Sequence, residues 1–165
     1  MAKDKGKVIE KLKRVICTEH TIYTDYSRLA SLIKNGRIRD KLRSHSTAAK
    51  RNKDLLIEQL NSLGVNSYVA ESPCKLCKIT PEDFSLIGAL DLGLEVTTVA
   101  IKFYRDLLHL SDDVEKKELF KELLKDKIIQ KNFLKREKRF PHRNKKQSDL
   151  IYNYCIPEVI SKLWG

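Results

Sequence analysis

Only six glycines and four prolines interrupt the 165 residues. Between them, apolar residues recur every three or four positions over long stretches, which is the period of a helix buried along one face. Strand-like alternation is scarce. So few breakers leave long amphipathic helices as the only economical reading. A first helix is predicted over about 7–34, ended by Asn35-Gly36, and a second over about 37–63, ended by Gly64. The stretch VNSYVAESPCKLCKI carries no helical pattern. A third helix is predicted from Thr80 as N-cap and Pro81 as first helical residue, with Glu82 and Asp83 in the positive first turn, to about Leu110. The run Ser111-Asp112-Asp113 reads as the next cap, and a fourth helix continues to Phe140 before Pro141. Residues 1–140 are therefore expected to form one bundle. Residues 141–165 are expected to be a basic linker and a short amphipathic extension.

Four helices of roughly 25–30 residues give a bundle about 40 Å long. The first and second helices are joined tightly, as are the third and fourth, so each pair is antiparallel. The connection between the two pairs, 64–79, is long enough to run the length of the bundle at about 3.3 Å per residue. The second and third helices would then be parallel, with one long crossover.

The two pairs also repeat each other at an offset of 78 residues. Glu19 falls on Thr97, Ile22 on Ala100, Tyr26 on Tyr104 and Leu29 on Leu107. Leu42 falls on Phe120, Ala49 on Lys127, Asn52 on Gln130 and Leu56 on Leu134. The offset runs without a gap through two helices and their turn. Identities are few, so the repeat lies in spacing.

This frame resembles the rubrerythrin branch of the ferritin-like superfamily. In that branch each hairpin places a glutamate seven residues before a tyrosine, and the partner helix carries a Glu-x-x-His. VAIKFYRDL at 99–107 and FKELLKDKIIQKNFL at 120–134 match the surrounding framework. The resemblance implies an all-α, ferritin-like four-helix bundle, and in the family the glutamates and Glu-x-x-His pairs hold a di-iron centre. Carried over, the six ligand positions are Glu19, Ala49, Asn52, Thr97, Lys127 and Gln130. Glu19 alone keeps a ligand type. An iron ion will not settle beside an ammonium with a single carboxylate to hold it. The expectation is a bundle without metal or other cofactor, with Lys127 in the metal's place and paired with Glu19. The other open reading has Lys127 snorkelling to solvent along Ile128.

Further candidate chemistry is sparse. Cys74 and Cys77 form a Cys-x-x-Cys that could hold zinc with other ligands, close as a disulfide, or be inert. Cys17 and Cys155 are distant in sequence, and no βαβ setting for redox chemistry surrounds the motif. His20 lies about 100° around a helix from Glu19, so the two do not face one site. Glu95 is two positions from the ligand slot. His45 sits on the inner face and reads as a core histidine. GALDLG at 88–93 lies within a helix and reads as close helix packing rather than a phosphate loop.

The formal net charge is +11. Residues 34–53 carry eight Lys/Arg against one acid, and 121–146 carry eleven against three. Residues 54–119 carry six against twelve acids. With one crossover, the start of the second helix and the end of the fourth share one pole. Arg37, Arg39, Lys41 and Arg43 would approach Lys135, Arg136, Lys138, Arg139, Arg143, Lys145 and Lys146. Such a pole attracts nucleic acid, anionic lipid or an acidic protein. No base-reading signature accompanies it, and the aromatic residues do not interleave with the cations as a stacking platform would.

No apolar run is long enough to span a membrane. The start, MAKDKGKVIEKLKR, lacks a signal peptide's apolar core, which predicts a cytoplasmic protein with reduced cysteines. The expected function is a non-enzymatic binding or assembly module that forms homo-oligomers and engages a polyanion. The competing classes are a rubrerythrin-like metal-dependent oxidoreductase or peroxidase with altered ligands, and a sequence-nonspecific nucleic-acid-binding protein.

Overall fold

The computed structural model describes residues 2–70 and 84–139. They form four α-helices: α1 (Ala2–Leu32), α2 (Gly36–Ser62), α3 (Leu86–Leu110) and α4 (Val114–Arg139). Local chemistry sets most of the ends. The Asn35 side chain accepts from the Ile38 amide and caps α2. Leu63 and Gly64 close its C-terminus, with Gly64 at φ +86°, a conformation that suits glycine. The Asp113 side chain accepts from the Lys116 amide at the start of α4.

The start of α3 corrects the sequence reading. Phe84 and Ser85 are not helical, and the Ser85 hydroxyl accepts from the Gly88 amide as the N-cap. A helix running on from Thr80 is therefore excluded at 84–85, although Thr80, Pro81, Glu82 and Asp83 lie outside the described residues. Phe84 packs against the core immediately before the cap. That anchoring and the Ser85 hydroxyl set the start of α3 at Leu86.

The pairing of charges and hydroxyls fixes the topology. Between α1 and α3, Lys11 meets Asp106, Glu19 meets Tyr104, and Tyr26 meets Gly93. Numbers rise on one helix as they fall on the other, so these helices are antiparallel. Arg37–Glu137 and Arg51–Asp126 make α2 and α4 antiparallel in the same way. Because α1–α2 and α3–α4 are tight hairpins, α2 and α3 run in the same direction, and residues 63–85 connect opposite ends of the bundle. Tyr68, early in that crossover, lies against α1. Its hydroxyl donates to the Lys13 carbonyl at 3.4 Å and lies 3.2 Å from Cys17 Sγ.

The core runs through all four helices. Every residue of the eight pairs aligned by the 78-residue offset is at most 2% exposed. The repeat is therefore the core itself: two hairpins presenting the same stripe to each other.

Candidate functional site

Midway along the bundle the stripe turns polar. On α4 the buried positions are Phe120, Leu123, Lys127, Gln130, Phe133 and Leu134, spaced as one helical face. The apolar neighbours hold that face inward and carry Lys127 with it. Its side chain and that of Glu19 are both 0% exposed, and Lys127 Nζ lies 2.6 Å from Glu19 Oε2. Lys127 does not reach solvent; Ile128 takes the outward position instead. The ammonium also donates to Gln130 Oε1 at 3.3 Å.

Glu19 is held from two sides. Tyr104 Oη donates to its Oε1 at 2.6 Å, while Oε2 receives the ammonium as a close ion pair without a well-aligned hydrogen bond. Burial, followed by the neighbouring Glu19 charge, pushes the Tyr104 phenol well above its ordinary value. Tyr104 is thus a permanent donor at any physiological pH.

The repeat offset carries this hydrogen bond into the other half. Tyr26 Oη lies 3.0 Å from Thr97 Oγ1, the counterpart of Glu19. Tyr26 also donates to the Gly93 carbonyl at 3.1 Å, so Thr97 is left to donate to the Tyr26 oxygen. Each tyrosine therefore reaches across to the residue of the opposite helix that occupies the shared position. The sequence reading aligned the two tyrosines through the repeat and gave neither a partner. Their signal was present as the seven-residue spacings 19–26 and 97–104, but spacing within one helix does not reveal a contact made across to another. Gly93 permits the contact: a Cβ there would meet Tyr26 Oη at 2.9 Å and Leu134 Cδ1 at 3.3 Å.

The remaining two positions lie on α2. Ala49 and Asn52 are 0% exposed, and neither amide atom of Asn52 has a hydrogen-bond partner among the described residues. One helical turn before Ala49, His45 is buried edge-on to Phe133, with ring centroids 5.6 Å apart. Burial, then the Lys41 and Lys127 charges, pushes its imidazole down to about 4.

These groups do not fit a di-iron centre. One carboxylate is present and already bonded to an ammonium and a phenol, while the amides, the threonine hydroxyl and the alanine methyl supply no anionic ligand. Among the described residues, no group of three or more His, Cys, Asp or Glu side chains could hold a metal ion. Cys74 and Cys77 lie outside the described residues.

At the pole, Arg37 of α2 pairs with Glu137 of α4, so the two basic segments meet. Glu137 also faces Arg136 at 3.5 Å, Lys138 pairs with Asp91, and Arg39 and Arg43 share Asp40. Lys41, Lys135 and Arg139 are exposed without an ion pair among the described residues. Arg143, Lys145 and Lys146 lie outside them.

The same architecture occurs in solved structures. Bacterioferritin from Desulfovibrio desulfuricans, a protein with a diiron site, superposes with a TM-score of 0.72 at 14% identity, over 86% of this chain and 83% of that chain. The chain has the ferritin-like fold. Bacterioferritin from Rhodobacter capsulatus, solved with a metal-free dinuclear site and heme iron, gives 0.71 at 18% identity, over 90% and 98%. A conserved hypothetical protein from Mycobacterium tuberculosis gives 0.69 at 13% identity, over 93% and 99%. No family model matches the sequence, and no curated protein is significantly similar to it. At these identities the likeness is one of fold, and a fold of this kind hosts many functions. Among the described residues, no helix is long and apolar enough to cross a membrane.

Proposed function

We propose that this ferritin-like bundle is a metal-free, non-enzymatic binding and assembly module of the cytoplasm, related to the rubrerythrin branch. The observation that carries the reading is the Glu19–Lys127 pair, 2.6 Å apart and wholly buried. In this reading the ammonium takes the place of the metal. A carboxylate that binds iron must be free to do so, and here it would have to give up a buried partner at a cost of several kcal/mol. The bundle then serves as a rigid scaffold, forming homo-oligomers through its outer faces. Its basic pole, where α2 begins and α4 ends, engages a polyanion such as nucleic acid or an acidic protein.

The test is a redox assay on the purified protein. Added Fe(II) should be oxidised by dioxygen or peroxide no faster than in a protein-free blank. Saturable turnover abolished by Glu19→Gln would instead support the competing reading, a metal-dependent oxidoreductase with altered ligands.

A further inference from the structure

The Glu19–Lys127 ion pair does not account for Asn52. This residue is wholly buried on α2, and both its Nδ2 and Oδ1 lack a hydrogen-bond partner among the described residues. Buried amides are almost always bonded, so two open valences on one side chain call for an occupant. The buried faces of α2 and α4 carry further open valences. Lys127 Nζ has three protons, and among the described residues it faces two oxygens, Gln130 Oε1 as a hydrogen-bond acceptor and Glu19 Oε2 as an ion-pair partner. His45 Nε2, two turns before Asn52 on the same stripe, is also buried and unpartnered. Between His45 and Asn52 stands Ala49, wholly buried, whose methyl group is far shorter than the side chain of its repeat counterpart, Lys127.

The chemistry restricts what can satisfy these valences. An anion would face the Glu19 carboxylate, and a cation would face the Lys127 ammonium. Because the pair is neutral as a whole, the occupant is neutral. It must accept from Asn52 Nδ2 and from the ammonium, and donate to Asn52 Oδ1. An apolar molecule does neither. Water does both, and buried waters commonly make about three such bonds.

We propose that the bundle core holds an internal hydration site between α2 and α4, in which ordered water satisfies Asn52 and the third proton of Lys127. The short Ala49 side chain makes room for it, and His45 Nε2 offers a further bond at the same face. The site hydrates the ion pair from within, so the pair is held in a small polar chamber rather than in dry hydrocarbon. This inference is independent of whether the basic pole binds a polyanion.

The experiment is water 17O magnetic relaxation dispersion on the full chain, wild type against Asn52→Leu, together with a high-resolution crystal structure of the wild type. The expected result is long-lived internal water in the wild type that is lost in the variant, and electron density within hydrogen-bond distance of Asn52 Nδ2 or Oδ1. If Asn52→Leu does not fold, the crystal structure of the wild type decides alone. Equal dispersion in both proteins would overturn the proposal. So would a crystal structure in which Asn52 bonds directly to protein groups or faces an empty space.

Discussion

Glu19 and Lys127 stabilise the fold only as a pair. Removing one partner strands the other charge in the core, whereas removing both strands neither. Glu19→Gln should therefore cost about 3–5 kcal/mol in urea unfolding. Lys127→Met should cost less, because a carboxyl can take up a proton and become neutral while Tyr104 still donates to it. The double variant should be near the wild type. Small, additive effects from the two single changes would show that the groups do not share a buried contact. His45 sets a separate pH dependence. Its imidazole titrates at about 4 in the folded state against an ordinary 6.5, so between these values the unfolded chain binds the extra proton. Stability should be full above about pH 6.5 and fall as the pH drops toward about 4, by on the order of 3 kcal/mol. His45→Leu, which installs the residue of the repeat counterpart Leu123, should flatten this acid limb; an unchanged limb would assign it to other groups. At this scale the sequence was informative about which positions face the core, because a period of 3.6 brings Lys127 and Gln130 in with Phe120 and Leu123. It was silent on the tyrosine bonds and on the open valences of Asn52, which depend on how one helix is set against another.

The helices themselves were readable from breakers and caps, and most ends fall within two residues of the reading. The start of α1 and of α3 are the exceptions. For α3 the reading rested on the Thr80-Pro81 signal, and a local rule does not anticipate a Ser85 cap preceded by a packed Phe84. The Gly93 region of α3 was read as close packing, and that is where Tyr26 of α1 comes up against the α3 backbone. Gly→Ala in an exposed helix gains up to about 1 kcal/mol in helix propensity. At Gly93 the added methyl would sit 2.9 Å from Tyr26 Oη, and overpacking typically costs about 1–3 kcal/mol. Gly93→Ala should therefore lower stability by about 1 kcal/mol net. Combining it with Tyr26→Phe should recover part of that loss, because the clashing oxygen is gone. A Gly93→Ala protein more stable than wild type in thermal melts would contradict the close approach.

For the whole molecule, the crossover was legible from connection lengths alone, and it decides where the charge goes. Only with α2 and α3 parallel do the beginning of α2 and the end of α4 meet, as Arg37 and Glu137 do. What the charge count could not show is which cations the neighbouring acids engage. Glu137, Asp91 and Asp40 engage several of them, leaving Lys41, Lys135 and Arg139 among those free to meet a phosphate. About six phosphate contacts, with the tail cations included, would give a salt slope of roughly −5 on duplex nucleic acid. Arg136, Arg139 and Lys146 changed to Glu should abolish filter binding, while the same change at Lys3, Lys5 and Lys11 at the far pole should do little. Equal sensitivity to both sets would reduce the asymmetry to a solubility feature. The central claim is that an internal ion pair stands where such a bundle would otherwise hold metal. Its most direct test is the iron content of the protein after anaerobic loading with Fe(II) and desalting, measured by elemental analysis on wild type and Glu19→Gln. The account predicts no stoichiometric iron in either; iron retained in stoichiometric amount by the wild type and lost with Glu19 would contradict it.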